Sequence, residues 1–506
     1  MSKSLPPQPS LEQLKKQAKD LLNSFRAGEP DAQKRMQEYH PNLAPSSTAG
    51  AKLSQAQLVI AREYGYVSWT KLKDAVESQV AGKDPMEELV RAVLASDTQR
   101  VARTLKKHPQ LRSRLNDGIP EVSFGSTLLI AAVQRTNKEL IDVLLEAGAD
   151  INARSNWWAG GFGVLDDDHG LASFLIERGA KVDAHAAARL GMLEKLKELI
   201  AANPAVVHAR GGDGQTPLHF ASTIEITDLL LEHGANIDAL DIDHESTPAQ
   251  YMLRERQEVA RHLVERGCRT DILMAAALGD LALVRKHLEA DPACIHMRVS
   301  GEYFPKRNPH AGGTIYTWTL GQHKTPHLVA RQFGHEDVFR QLMDRSPDEV
   351  KLAQACELGD EKLFRELLAS RPHLVQSISE GDRRKIVDAA QNNNPNAVRL
   401  MLEAGWPVDA RGQHGATPLH WAAFHGNVEM ARIILQYHPP LECLDKDFTG
   451  TPLGWAIHGS EHGWYHRTGE YPATVEALLQ KGAKLPKKLG GTEAVKTMLR
   501  TFGLKD

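Results

Sequence analysis

Two histidines and a glutamate near the C-terminal end have the residue types and the spacing of a zinc-dependent hydrolase site. His458 and His462 are four positions apart and Glu461 stands between them, so on one helix two imidazoles could bind the metal while the carboxylate acts as general base. Gly459 and Gly463 disfavour that helix by about 1 kcal/mol for each glycine. We therefore expect the helix to end near His458 and predict no metal at this position.

A second group of candidates lies between residues 156 and 169, where two tryptophans and several glycines precede three adjacent aspartates. Trp157 and Trp158, set among glycines, are poor helix material but suit a shaped loop. Asp166 and Asp168 could bind a divalent cation or act as acid and base, and carboxylates beside tryptophans are typical of sugar-binding or glycosidic clefts. Three adjacent acids on a loop are more often simply hydrated, so both interpretations stay open.

Two further segments, 299–323 and 457–471, are also rich in aromatic and histidine side chains. Their candidate binding residues are His310, Tyr316, Trp318, His458, Glu461, His462, Trp464 and His466. Aromatic and histidine side chains concentrated on loops favour a binding surface. The alternative is that the tryptophans fill gaps between irregular elements. No catalytic residue is assigned, because the sequence has no phosphate-binding glycine motif, no nucleophile elbow and no cysteine in a nucleophile context.

A recurrent phrase identifies the elements that must position these residues. Thr-Pro-Leu-His occurs at 216–219 and at 417–420, and a Leu-Leu pair followed by Gly-Ala comes after it. Variants of the phrase begin at Thr127, Thr247, Thr325 and Thr451. Equivalent positions recur at intervals of 31 to 34 residues. A period in this range indicates stacked helix-turn-helix repeats.

This wording resembles the ankyrin repeat over residues 86 to 485, which predicts an all-α ankyrin solenoid of about twelve irregular units. The resemblance implies a binding scaffold whose finger loops and first helices line a concave surface. Proline suits the first helical turn, and the threonine hydroxyl can cap it. In the family, the histidine of the phrase hydrogen-bonds across the turn, so His219 and His420 are interpreted as scaffold residues. The three aromatic segments interrupt the period and are predicted to be insertions, near 154–170, 298–323 and 459–472.

Residues 10–80 do not carry the repeat. Capping boxes at Ser10 and Ser54 and a break at Gly28 predict short helices, which we interpret as an N-terminal helical cap domain after a disordered tail at 1–9. With the segment 58–69, the whole chain resembles uncharacterised bacterial ankyrin repeat-containing proteins that have such a helical leader. Residues 486–506 are more polar and are expected to cap the other end.

The composition excludes several classes of partner. Lys and Arg number 61 against 64 Asp and Glu, for a net charge of −3, which provides no broad attraction to nucleic acid or anionic lipid. The four cysteines form no close pair, as expected in a reducing compartment. No apolar stretch reaches about 18 residues, and the N-terminus lacks the apolar region of a signal peptide. We therefore expect a cytoplasmic protein without a nucleic-acid or membrane partner.

The function predicted from the sequence is a scaffold that binds a protein partner through its concave surface and extended finger loops, without a cofactor. The alternative is an enzyme of hydrolase type, or a protein that binds a small molecule such as a carbohydrate, with its pocket formed where the insertions converge. Whether the insertions meet in one cavity distinguishes these hypotheses.

Overall fold

A computed structural model describes residues 10–40, 51–73, 76, 84–120 and 122–505. Within these ranges the protein is helical and contains no strand, and none of its helices is both long and apolar enough to span a membrane. The tail predicted at 1–9 lies outside the described residues. The chain divides into two compact units. The first comprises the described residues up to Ala186 with Gly211–Asp213, and the second comprises Ala187–Arg210 and the residues from Gly214 onward.

Three helices near the N-terminus, Leu11–Arg26, Pro30–Tyr39 and Leu53–Glu63, pack around a hydrophobic core of their own. Ser10 caps the first by accepting a hydrogen bond from a backbone N–H, as predicted. The third begins two residues earlier than expected, with Lys52 in place of Ser54 as its N-cap, because the Gln55 side chain accepts the N–H of Lys52 and closes the turn there. That these helices form a cap on the repeats stays a prediction.

The rest of the chain consists of short helices in successive pairs. In chain order, the first and second helix of each pair are Pro85–Leu94 with Thr98–Lys107, Leu128–Val133 with Lys138–Glu146, Ala184–Arg189 with Leu193–Ala202, Pro217–Phe220 with Ile224–Glu232, Pro248–Met252 with Gln257–Glu265, Ile272–Leu278 with Leu281–Ala290, Pro326–Gln332 with Glu336–Arg345, Asp348–Leu358 with Glu361–Ser370, Lys385–Gln391 with Pro395–Ala404, Pro418–His425 with Val428–Leu435, and Pro452–His462 with Tyr471–Gln480. These eleven pairs and the lone second helix Ala172–Glu177, found where residues 156–169 replace a first helix, confirm a solenoid of about twelve units.

Shorter turns connect the pairs, and one helix follows them. The 3-10 turns are Pro109–Arg114, Ser123–Gly125, Pro204–His208, Gly212–Gly214, Pro292–His296, Leu374–Ser377 and Gln413–Gly415, with a π-helical turn at Thr317–Gly321 and a four-residue helix at Glu380–Arg383. The last helix, Glu493–Thr501, packs against Tyr471–Gln480. Its predicted role as the C-terminal cap stays a prediction.

The histidine of the repeated phrase joins neighbouring repeats. The Nδ1 atom of His420 accepts the backbone N–H of Thr417 at 3.1 Å, and Nε2 lies 3.1 Å from the carbonyl oxygen of Gly450 in the next finger. Since a carbonyl only accepts, Nε2 carries the proton and the ring is neutral. His219 makes the same pair of contacts with Thr216 and Ser246. The structure therefore confirms that both are scaffold histidines.

Burial lowers the pKa of His420 to about 4 and that of His219 to about 3. An unfolded histidine takes up a proton near pH 6.5, whereas these rings stay neutral in the folded protein until the pH is much lower. Their contribution to stability is therefore complete above pH 6.5 and is lost as the pH falls toward their folded-state values.

We predict that His420→Gln removes part of this pH dependence. Glutamine already occupies the equivalent position in another repeat, where Gln250 accepts the N–H of Thr247. Urea titrations at pH 7, 5.5 and 4.5 measure the unfolding free energy of both proteins. Between pH 7 and pH 4.5, that of the native protein should fall by about 3 kcal/mol more than that of the variant. A difference between the two proteins that stays constant with pH would contradict this.

Candidate functional site

A cavity of about 420 Å³ lies in the second unit, where the last two helix pairs meet. Its lining residues are His414, Trp421, Phe424, Phe448, Gly450, Gly454, Trp455, His458 and Trp464. The volume falls within the roughly 300–1,000 Å³ of ligand pockets. The lining is aromatic rings, imidazoles and glycine, and none of these described residues carries a carboxylate. We call this cavity the aromatic cleft.

The repeat period itself builds the aromatic cleft. Three pairs of lining residues are 34 positions apart and so occupy equivalent positions in adjacent repeats: His414 with Phe448, Trp421 with Trp455, and Phe424 with His458. Stacking in register places equivalent side chains next to each other. Their ring centroids are 5.2, 5.2 and 6.5 Å apart, respectively. Finger loops contribute the first pair, and first helices contribute the other two.

Gly454 is the position in the cleft where the repeated phrase changes. It stands where the repeated phrase normally has histidine, so Thr-Pro-Leu-Gly replaces Thr-Pro-Leu-His at 451–454. His420, at the equivalent position of the preceding repeat, fills its place with a buried imidazole. Gly454 therefore lines the cleft without adding a side chain to it.

Asp445 fixes the finger to the wall of the cleft. Its carboxylate accepts the backbone N–H groups of Phe448 at 2.6 Å and Gly450 at 2.7 Å, and the indole N–H of Trp455 at 2.9 Å. Burial opposes ionisation of this group, but the donated hydrogen bonds outweigh it and lower the pKa of Asp445. The orientations of Phe448 and Trp455 therefore both depend on one carboxylate.

The helix that carries His458 is longer than the sequence predicted. It runs from Pro452 to His462, so the expectation that it ends near His458 was wrong. A Cβ atom on Gly459 would lie 2.5 Å from the carbonyl oxygen of Phe424. The glycine therefore permits close packing of two first helices, and this packing outweighs its low helix propensity.

The continuous helix places His458 and His462 one turn apart, with ring centroids separated by 4.8 Å. Among the described residues, no cluster of three potential ligand atoms forms around this pair. Of the two rings, only His458 lines the aromatic cleft. Glu461, His462 and His466 are exposed.

The third insertion leaves this helix at Gly463 and returns at Tyr471. Trp464 is 62% exposed, yet its ring lies 5.8 Å from that of Trp421 and 5.6 Å from that of Phe424. The Tyr471 hydroxyl donates to the carbonyl of Phe424 at 2.9 Å, and the N–H of Glu470 donates to Gly426. The insertion is thus anchored to the preceding repeat and covers one side of the cleft.

Two buried polar atoms in this region have no hydrogen-bond partner within the described part of the chain. Trp421 is 3% exposed, and its indole nitrogen has no acceptor. His425 donates from Nε2 to the carbonyl of Gln391 at 2.9 Å, which leaves its Nδ1 atom without a donor. An unsatisfied buried donor costs about 1–3 kcal/mol, so the indole of Trp421 can gain from an acceptor supplied by a ligand.

The second insertion folds onto the finger at 241–246 and forms a separate cavity of about 320 Å³. The backbone N–H groups of Arg307 and Asn308 both donate to the Glu245 carboxylate at 2.8 Å. Tyr316 is fully buried and donates to Asp271 at 2.8 Å, so it fills the interior and is not available to a partner. Trp318 is 52% exposed, and His310 is also exposed.

Neither of these two cavities combines described residues of the second and third insertions. Residues of the third insertion are absent from the lining of the smaller cavity, and residues of the second are absent from the aromatic cleft. Of the sequence candidates in the second unit, His458 and Trp464 come together in one site.

The first insertion belongs to the first unit, and its carboxylates hold the loop itself. Asp166 pairs with Arg154 at 2.9 Å and accepts the N–H of Gly163 at 2.7 Å. Burial raises the pKa of Asp166, and Arg154 opposes this effect. Asp168 is 3% exposed.

The two tryptophans of this insertion differ in their surroundings. The indole of Trp157 donates to Asp213 at 2.9 Å, and its ring packs on Phe124 with centroids 5.0 Å apart. Trp158 is 43% exposed.

Sequence reasoning missed most of the cleft. The missed residues are His414, Trp421, Phe424, Phe448 and Trp455. They belong to regular repeats, whereas the sequence interpretation concentrated on the insertions. A usable signal was present, namely aromatic or histidine residues that recur at the repeat period of 34 positions.

The helix pairs, finger loops and bridging histidines define a repeat protein of the helix-turn-helix solenoid class. The family model for ankyrin repeats (3 copies) matches residues 184–274, 352–450 and 386–488, and the single ankyrin repeat model matches 124–156. Together the matches span about half of the chain. The chain belongs to the ankyrin repeat family.

Similar proteins share only parts of this chain. It is 34% identical to the E3 ubiquitin-protein ligase XB3 of Oryza sativa subsp. japonica over 93 residues. This aligned segment covers 18% of this chain and 21% of that protein. It is 31% identical over 159 residues to the leucine-rich repeat serine/threonine-protein kinase 1 of Caenorhabditis elegans, 30% of this chain and 7% of that protein. The chain thus spans about a fifth or less of the length of these relatives.

Among solved structures, the human ASB11 ankyrin repeat domain is similar at 19% identity, over 60% of this chain and 98% of that one, with a TM-score of 0.22.

We predict that Asp445→Ala destabilises the second unit by about 2–4 kcal/mol, because three donors lose their acceptor. Release of Trp455 should also shift the tryptophan fluorescence to longer wavelength. The matched control is Asp447→Ala, whose carboxylate is about half exposed and bonds His414; it should cost less than about 1 kcal/mol. Urea denaturation of the two variants compares them, and equal losses would contradict the assigned role of Asp445.

Proposed function

We propose that this protein is a scaffold that binds a protein partner through the aromatic cleft and the finger loops beside it. The observation that carries the proposal is the arrangement of the rings. Phe448 and Trp464 are 64% and 62% exposed, and they flank Trp421 and Trp455, which are 3% and 8% exposed. Exposed aromatic rings around deeply seated ones are typical of the energetic centre of a protein interface.

The location of the cleft supports the same function. Its walls come from finger loops and first helices, and ankyrin repeats generally mediate interactions between proteins. Loops held by a rigid frame are the usual carriers of recognition. Asp445 provides that rigidity, because it ties the finger backbone to an aromatic side chain of the adjacent helix.

A small-molecule ligand is the second candidate. The cavity of about 420 Å³ and its largely apolar lining suit such a ligand. A hydrolase-type enzyme has less support, because the candidate carboxylate Asp166 is engaged in an ion pair and Glu461 does not line the cleft.

The proposal also includes the domain organisation and the setting. We propose that residues 10–80 and 486–506 act as caps for the repeats. We propose a cytoplasmic protein, which the free state of the cysteines Cys268, Cys294, Cys356 and Cys443 supports. A bacterial origin rests on the resemblance of the whole chain to bacterial proteins with a helical leader.

We predict that Phe448→Ala and Trp464→Ala each weaken capture of a protein partner at least tenfold, since anchor residues contribute about 2 kcal/mol or more. The matched control is Trp318→Ala, because Trp318 is an exposed tryptophan outside the cleft. Affinity purification with quantitative mass spectrometry compares the proteins retained by each variant. Equal loss of partners in the control, or unchanged capture by both cleft variants, would refute the proposed interface.

A further inference from the structure

We propose that the occupant of the aromatic cleft is a proline-rich segment of the partner in the polyproline II conformation. This inference rests on the proposed function and specifies the chemistry that the cleft recognises.

The first argument is the shape of the walls. The rings of Trp421 and Trp455 are inclined at 84°, and those of Phe424 and Trp464 at 87°. Near-perpendicular rings form slots that accept flat apolar groups on their faces. A polyproline II helix presents pyrrolidine rings at three residues per turn and is already extended in solution, so it loses little conformational entropy on binding.

The second argument is hydrogen-bond complementarity. The buried indole nitrogen of Trp421 is a donor with no acceptor in the part of the chain that the structure describes. Polyproline II leaves its carbonyl groups without internal hydrogen bonds, so it offers acceptors at regular spacing. Because this nitrogen is buried, water does not readily accept a hydrogen bond from it in the free protein.

The cleft offers few acceptors in return. Tryptophan and phenylalanine side chains accept no conventional hydrogen bonds, and the carbonyl of Gly450 already receives the His420 imidazole. An ordinary peptide would bury N–H groups without partners here, at a cost of about 1–3 kcal/mol for each. Proline has no backbone N–H. A proline-rich segment therefore supplies carbonyl acceptors for the unpaired indole donor. It also brings no proline N–H groups that the cleft would leave without an acceptor.

The charge of the lining residues distinguishes a proline-rich occupant from a cationic ligand. Aromatic boxes also bind quaternary ammonium groups through cation–π contacts, and a nearby carboxylate favours such ligands. No carboxylate is among the lining residues, and Asp445 is 3% exposed with its oxygens engaged by three donors. Two imidazoles, His414 and His458, line the cleft instead. This lining favours a neutral ligand.

Trp464 is the ring that we expect to shift when a ligand binds. The indole nitrogen of Trp421 is shielded from solvent, so a ligand carbonyl reaches it only after a neighbouring ring shifts. Trp464 is the most exposed of the cleft rings that contact Trp421. It lies on the segment between two helices. Binding should therefore change the tryptophan fluorescence.

The test uses the full chain and three probes: an acetylated, amidated decaproline peptide, a glycine-serine peptide of equal length, and acetyl-trimethyllysine amide. Isothermal titration calorimetry and tryptophan fluorescence measure binding. We expect the proline peptide to bind and the other two not to bind. Trp421→Phe keeps a ring but removes the donor, and should weaken binding about tenfold, the equivalent of one hydrogen bond.

Gly454→Leu provides a second variant that tests occupancy without removing a ring. A Cβ atom at this position would lie 3.5 Å from the Thr451 hydroxyl oxygen, an ordinary van der Waals contact. Leucine also favours the helix more than glycine does. The variant should fold, fill the cleft and abolish binding of the proline peptide. Trp318→Ala should bind the peptide like the native protein.

The outcomes distinguish the two proposals. Binding of the trimethyllysine probe in place of the proline peptide, or equal affinity of Trp421→Phe, overturns the polyproline assignment. If the proline peptide fails to bind while partner capture still depends on Phe448 and Trp464, the assignment falls and the scaffold function stands. If neither binding of the proline peptide nor capture of the partner depends on the cleft residues, both proposals fall.

Discussion

In-register stacking of the repeats is the constraint on which the rest of the second unit depends, and the hydrogen bond from the His420 imidazole to the Gly450 carbonyl shows how it is maintained. One side chain closes the turn at the start of its own helix and binds the finger of the next repeat. Stacking at a fixed period then brings residues 34 positions apart into contact. The aromatic cleft follows from this geometry, because aromatic and imidazole rings occupy equivalent positions on two successive fingers and two successive first helices.

The cleft also includes a departure from the repeated phrase. Glycine stands at position 454, where the phrase has histidine, so no side chain enters the cleft from this position. The finger beside it is held by two hydrogen bonds. The carbonyl of Gly450 accepts the imidazole of His420 from the preceding repeat, and the Asp445 carboxylate accepts the indole N–H of Trp455 from its own repeat. These bonds keep the aromatic side chains around the cleft in place.

The insertions show that residue type alone does not predict the role of a side chain, because that role depends on which groups the fold places beside it. Asp166 and Tyr316 have functional groups that could do chemistry, yet an ion pair with Arg154 and a hydrogen bond to Asp271 engage them in structural roles. Burying a polar group is tolerated only when its hydrogen bonds are made within the protein. Trp421 is one exception, since its indole nitrogen is buried and has no acceptor among the described residues.

The sequence by itself determined the fold class, the period of the repeats, the proline-capped helix starts and the scaffold role of His219 and His420, because these depend on local turn chemistry and on spacing along the chain. It also located a segment containing His458 and Trp464. Only the tertiary structure showed that the helix continues beyond Gly459, since the close approach of the Phe424 carbonyl acts across repeats and outweighs local propensity. The same holds for the cleft, whose residues are separated by a full period and become neighbours only through stacking.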